Sequence, residues 1–207
     1  MSMPDALVCV VDDDASIRRS LLRLLRSAGY TAEAFESARA YLGRAAPAGP
    51  ACLVLDVLMP ELTGLDLQQE LIARGREESV VFITGDGDIP ASVQAMKAGA
   101  VDFLSKPFKE EQFLDAVERA LSRSREHRQH RSGQEEARGR LATLTPRERQ
   151  VLAGVVAGKM NKEIAEELGT SVRTIKIQRG SVMKKMGVTS VADLVRLARR
   201  AAPADRF

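Results

Sequence analysis

Four times in the first half of the chain, a short apolar run of strand-forming residues stops at a polar or charged group. Leu7–Val11 runs into Asp12-Asp13-Asp14, residues 53–55 into Asp56, residues 80–83 into Thr84-Gly85, and residues 101–104 into Ser105-Lys106-Pro107. Continuous apolar runs of this length mark strands covered on both faces, as in a parallel sheet. Between them the apolar spacing turns helical. Ile17, Leu21, Leu22, Leu24 and Leu25 follow the first run, and Gly29 closes that helix. Thr31–Phe35 reads as a further strand, followed by a short helix over residues 38–44. Thr63-Gly64-Leu65-Asp66 has the form of a capping box and opens a helix carrying Leu67, Leu71 and Ile72. Helices from about Ile89 to Ala98 and from Glu110 onward complete five β/α units. The simplest architecture for that count is a flavodoxin-like five-stranded parallel sheet, over residues 1–120.

Beyond residue 120 the pattern changes. Residues 121–140 are rich in Arg, Glu and Gln, hold Gly133 and Gly139, and show no apolar face, which predicts a linker with a helical start as one option; the sequence does not say whether it is an ordered helix. His127 and His130 are spaced for one helix face, but no Cys or further His lies near them, so they read as solvated surface. From residue 141 to 207 the periodicity is purely helical and predicts a small all-α domain. Thr145-Pro146-Arg147-Glu148 starts one helix with a cap, a first-turn proline and a glutamate at N3. Asn161 is placed to cap a short helix ended by Gly169. Thr170-Ser171 cap a longer basic helix ended by Gly187, and Ser190 with Asp193 starts the last one. A short helix, a glycine turn and a longer basic helix make a helix-turn-helix.

Charge separates the two halves. Residues 1–120 hold 12 Lys/Arg against 19 Asp/Glu, net −7, whereas residues 139–207 hold 14 against 6, net +8. Only the second half is suited to a polyanion. No apolar run approaches the roughly 18–20 residues that span a bilayer, and the first residues lack a secretory apolar core. Cys9 and Cys52 each sit in a strand-like run, where cysteine acts as a small buried hydrophobe; they point to a reducing cytoplasm.

The positions at the strand ends carry a resemblance. Asp12 and Asp13 after the first strand, Asp56 after the third, Thr84 after the fourth and Lys106-Pro107 after the fifth resemble the receiver domain of two-component response regulators. The chain as a whole is similar to the FixJ/NarL class. Its C-terminus resembles the LuxR-type DNA-binding domain in Leu144-Thr145-Pro146-Arg147-Glu148, Asn161-Lys162-Glu163-Ile164-Ala165 and Thr174-Ile175-Lys176-Ile177. The resemblance implies that Asp56 accepts phosphate from a sensor histidine kinase. It implies Mg²⁺ at Asp13 directly, at Asp12 through water, at Asp56 and at the Leu58 backbone carbonyl. Lys106 and the Thr84 hydroxyl would contact the phosphoryl oxygens, and Phe103 is the aromatic switch. Three carboxylates crowded together do call for a cation, and carboxylate oxygens suit Mg²⁺.

In the DNA-binding half, the residues matching Lys176, Ile177 and Gly180 approach bases in this family. Asn161, Lys162, Arg173 and Thr174 are candidates for phosphate contacts. On the basic helix, Val172, Ile175, Val182, Met183 and Met186 are expected to face inward, and Arg173, Lys176, Ile177, Gly180, Ser181 and Lys184 outward. Phosphorylation is expected to favour a homodimer on double-stranded promoter DNA, with RNA polymerase a further possible partner and no membrane involved.

Three features depart from the family pattern. Asp86 stands where many FixJ-like receivers carry His and, with Asp88, adds negative charge near the site; Leu58 faces the phosphate; and Gln178 and Gly180-Ser181 replace the usual residues of the basic helix. The alternatives are a regulator that binds DNA irrespective of phosphate, and a flavodoxin-like enzyme. Against the enzyme, no Gly-rich phosphate loop follows the first strand, and residues 1–120 contain no His.

Overall fold

The computed structural model describes residues 6–85 and 89–201, without the side chains of Ile89 and Ala91. The expectations attached to Asp86 and Asp88 lie outside the described residues. The chain divides into two compact units, Met1–Arg128 and Gln129–Phe207.

Five strands form the sheet of the first unit: β1 Leu7–Val11, β2 Thr31–Phe35, β3 Ala51–Asp56, β4 Ser79–Thr84 and β5 Asp102–Ser105. Every neighbouring pair is parallel, in the order β2-β1-β3-β4-β5. The strands read as unbroken apolar runs because each is covered on both sides. Val8, Val10, Cys52, Val54, Val81 and Ile83 face one core, to which α1 (Ala15–Ser27) and α5 (Glu110–Ala142) contribute Leu21, Leu25, Phe113, Val117 and Leu121. Cys9, Val11, Leu53, Leu55, Val80 and Phe82 face the other. There α2 (Ala38–Leu42), α3 (Gly64–Ala73) and α4 (Ile89–Lys97) supply Tyr41, Leu67, Leu71 and Ala95. The two free cysteines therefore lie in different cores, and burial pushes the Cys9 thiol up to about 12.

This order places the topological switch point between β1 and β3, because the chain leaves β1 toward β2 on one side and β3 toward β4 on the other. In open parallel sheets, ligands bind beyond the carboxyl ends of the strands at such a point. The amino end of the sheet is closed by a buried ion pair of Arg76 with Glu78. Tyr41 donates its hydroxyl to Glu78 at 2.9 Å, and Arg76 lies over the Tyr41 ring at 4.8 Å.

The conformation of the linker, left open by the sequence, is helical. Residues 121–140 all lie within α5, a single helix of 33 residues. In place of a continuous apolar face, Leu121 and the small residues Ser124 and Ala137 are buried, and the Ser124 hydroxyl accepts from the Ala51 N–H at 3.0 Å. Ion pairs one turn apart, Arg131–Glu135 and Glu136–Arg140, add local support. A pattern scored on large hydrophobics does not register Ser or Ala as packing positions.

The second unit is built from α6 (Pro146–Val156), α7 (Asn161–Glu167), α8 (Val172–Met186) and α9 (Val191–Ala201) around Val151, Leu152, Val155, Ile164, Ile175, Val182, Met186, Leu194 and Ala198. Thr145 and Glu148 form the expected capping box, Ser171 caps α8, and Gly187 ends it at φ 66°. Asn161, expected as a cap, is instead the first residue of α7; the cap position is Met160, whose N–H is satisfied by the Glu163 carboxylate.

Helices α6 and α7 meet at Gly154, where a Cβ would lie 2.8 Å from the side chain of buried Ile164. Gly154→Ala should therefore destabilise the second unit by roughly 1–2 kcal/mol, overpacking outweighing the helix-propensity gain. Gly139→Ala, in an exposed stretch of helix with nothing within 4 Å, should stabilise by up to about 1 kcal/mol. Denaturant unfolding of both variants checks the difference in sign.

Candidate functional site

At the switch point, β1 delivers Asp12 and β3 delivers Asp56, both buried, while Asp13 one residue later is exposed. Each carboxylate is fixed by its own loop. Asp12 Oδ1 accepts from the Asp14 N–H at 2.8 Å, and Asp14 in turn caps α1 through the Ser16 N–H at 2.6 Å. Asp56 Oδ2 accepts from the Leu58 N–H at 2.9 Å. Arg18, one turn into α1, donates to the Asp12 backbone carbonyl at 2.6 Å. Behind Asp56, α3 begins at Gly64, where any Cβ would run into the Asp56 carbonyl oxygen.

Lys106, just past β5, joins the two carboxylates: its Nζ lies 2.9 Å from Asp12 Oδ2 and 2.8 Å from Asp56 Oδ1. Its own N–H donates to the Thr84 carbonyl at 2.7 Å, which ties the ends of β4 and β5 together. Thr84 is buried at the end of β4. Burial raises the Asp56 carboxyl above its ordinary value, and the Asp12 charge adds to this; the bonds from Lys106 and Leu58 oppose it. Burial also acts to lower the Lys106 ammonium, but its bonds to Asp56 and Asp12 outweigh that and hold it above its ordinary value. Phe103 on β5 is half-buried, with its ring 6.1 Å from that of Phe82. Leu58 is exposed at 59%.

Oxygen donors line this corner, and such donors suit a hard cation. Mg²⁺ is commonly held by one or two carboxylates, with water and phosphate oxygens filling its octahedron. Among the described residues no three His, Cys, Asp or Glu side chains converge as a preformed metal cage. Two carboxylates sharing one ammonium nevertheless fit Mg²⁺, because their oxygens already meet at a common point.

In the second unit, α8 presents Arg173, Lys176, Ile177, Gly180 and Lys184 to the outside, with Ile177 at 66% exposure; Lys162 on α7 is exposed as well. Two parts of the expected facing are corrected. Val172 is exposed at the first turn, ahead of the core. Ser181 is turned inward: its hydroxyl donates to Glu148 Oε1 at 2.6 Å, because α6 offers a carboxylate there. Thr174 is half-buried, its hydroxyl 2.8 Å from that of Ser171. The Asn161 side-chain oxygen accepts from Arg179 at 2.8 Å and braces α7 against α8.

Sequence reasoning missed this second set of positions. Lys185 donates to Glu148 Oε2 at 2.6 Å, so Glu148 holds both Ser181 and Lys185 of α8 while capping α6 through the Thr145 N–H at 2.8 Å. Arg140 donates to the Met186 carbonyl at the C-terminus of α8 at 2.6 Å. The only sequence signal was Glu148 in its capping box, which gives no hint of Ser181 and Lys185, 33 and 37 residues further on.

Comparison with known proteins follows the same division. The response regulator receiver domain family matches residues 8–118, and the luxR family of bacterial regulatory proteins matches residues 142–198. The chain is 50% identical to nodulation protein W of Bradyrhizobium diazoefficiens, over 93% of this chain and 85% of that protein. It is 46% identical to the transcriptional regulatory protein FixJ of Azorhizobium caulinodans, over 98% of both. Among solved structures, the response regulator StyR superposes with a TM-score of 0.84 at 46% identity, covering 95% of this chain and 99% of that one.

Bonds from Lys185, Ser181 and the Thr145 N–H hold the Glu148 carboxyl down at about 2, from an ordinary 4.5. A depressed carboxyl contributes stability that is present above its unfolded value and is lost as pH falls toward the folded one. Unfolding of the second unit should therefore become easier between roughly pH 5 and pH 2. Glu148→Gln should be less stable at pH 7 and lose much of that acid dependence, as read by denaturant unfolding across the range.

Proposed function

The chain belongs to the two-component response regulators that pair a receiver domain with a LuxR-family DNA-binding domain, and we propose that phosphorylation of Asp56 controls its grip on promoter DNA. The observation that carries this reading is the junction of Asp12, Asp56 and Lys106 at the switch point of the sheet.

An Asp56 carboxylate oxygen attacks the phosphorus of a phosphohistidine on the partner sensor kinase. The O–P bond forms as the P–N bond breaks, and the imidazole leaves. Asp12, Asp13, Asp56 and the Leu58 carbonyl would hold Mg²⁺, which offsets charge on the transferring group. Lys106 exchanges one carboxylate for a phosphoryl oxygen, and the Thr84 hydroxyl turns to another. As Thr84 moves, Phe103 follows inward beside Phe82 and alters the surface of α4 and β5. Burial of Asp56 supports this scheme, because water-poor surroundings strengthen each of these contacts.

The altered surface favours a homodimer, and two helix-turn-helix units then take two half-sites of double-stranded DNA. Lys176, Ile177 and Gly180 face the bases. Lys162, Arg173 and Lys184 take phosphates, and Asn161 and Thr174 lie close enough to the surface to add to them. Such a protein works in the cytoplasm, and RNA polymerase is a natural further partner. No helix among the described residues is long and apolar enough to cross a membrane.

Wild type and Asp56→Asn, each with Mg²⁺ and beryllium fluoride or a small phosphodonor, provide the test. Sedimentation and promoter-fragment binding should show dimer and a roughly tenfold or greater gain in affinity for the wild type alone, the range of ordinary coupling energies. Equal binding by both proteins, with or without the donor, would sink the regulatory part of the proposal.

A further inference from the structure

Gly180 lies midway along α8, where glycine is a poor helix residue: it gives the unfolded chain extra freedom and adds no side chain to packing. Other glycines of this chain are required by the fold. A Cβ at Gly154 would crowd Ile164, one at Gly64 would strike the Asp56 carbonyl, and Gly187 adopts the left-handed region at φ 66°. None of these reasons holds at Gly180. It sits within the regular helix, it is exposed, and a Cβ built there meets no atom within 4 Å. The fold would accept alanine. The fold gives no reason for glycine at this point, as it gives none at Gly139.

What sets Gly180 apart is its place on α8. Lys176, Ile177 and Lys184, at four and three residues before and four after, lie on the same exposed strip. Ser181, the next residue, does not fill the gap, because its hydroxyl is bound to Glu148. The strip therefore has cationic ends and a bare centre. An α-helix with its side chains is about 10–12 Å across, and the major groove is about 12 Å wide. How deeply a helix enters is then set by the side chains that face the groove floor.

We propose that Gly180 is a specificity-determining position: the missing side chain lets the main chain of α8 approach the base edges closely enough for Lys176 and Ile177 to read them. This rests on the DNA-reading role given to α8 above. The device separates stability from recognition, since a methyl group added here helps the helix and holds it away from the bases. Phosphate contacts made by long basic side chains tolerate that displacement, whereas short-range base contacts do not.

The test uses the full chain with Mg²⁺ and beryllium fluoride. The wild type first selects its tightest duplex from a randomised pool. Wild type and Gly180→Ala are then compared on that duplex and on a scrambled one, over a range of salt, alongside their unfolding midpoints. The variant should unfold at a higher midpoint and bind the selected duplex about tenfold more weakly, the scale of a single lost base contact. Its affinity for the scrambled duplex and its salt slope should match the wild type, because the phosphate contacts are kept. Undiminished binding to the selected duplex, or equal weakening on both duplexes, overturns the close-approach role alone. A wild type that selects no sequence overturns it together with the DNA-reading role of α8.

Discussion

Two carboxylates and one ammonium meet where β1, β3 and β5 end, and neither carboxylate could be buried there without the cation. Asp12 and Asp56 are both nearly excluded from water, and like charges so placed repel strongly in low dielectric. Lys106 bonds to each of them, which makes the arrangement a satisfied network in place of a pair of uncompensated charges. The same ammonium sits on a backbone tied to Thr84, so the ends of β4 and β5 share its position. A new anion at Asp56 would compete for Lys106, and in the proposed switch that change is passed to Thr84 and to the strand carrying Phe103. The resting structure and the proposed switch use the same bonds.

The second unit depends in a comparable way on one acidic group. Glu148 satisfies the start of α6 and at the same time binds Ser181 and Lys185 of α8. Asn161 with Arg179 and Arg140 with Met186 complete the bracing of α8 at its middle and its end. These contacts occupy the inner polar positions of the helix. Its outward strip is left with Arg173, Lys176, Ile177 and Lys184 around a glycine. Fixing one face of α8 is what leaves a defined opposite face, the one proposed to meet a duplex.

Much of this was legible in the sequence because it depends on local order. Strand-like runs ending in Asp12, Asp56, Thr84 and Lys106 mark the sheet and its functional edge, since parallel strands covered on both faces must be apolar throughout. Caps at Thr63, Thr145, Ser171 and Ser190 mark helix starts, since the orphan N–H groups need acceptors within three residues. The sequence says less where packing uses small or polar groups. Ser124 and Ala137 carry α5 through a stretch that lacks large hydrophobics, and Asn161 serves Arg179 in place of its own helix start.

By itself, then, the sequence determined the order of the elements, the acidic edge of the first unit and the cationic character of the second, because periodicity, capping and charge are properties of neighbouring residues. Only the tertiary structure decided that Lys106 bridges Asp12 and Asp56 across separations of 94 and 50 residues, and that Glu148 turns Ser181 inward. It also distinguished Gly154, which the core requires, from Gly180, which it does not. Such pairings are set by which side chains meet when distant segments pack, and no local pattern records them.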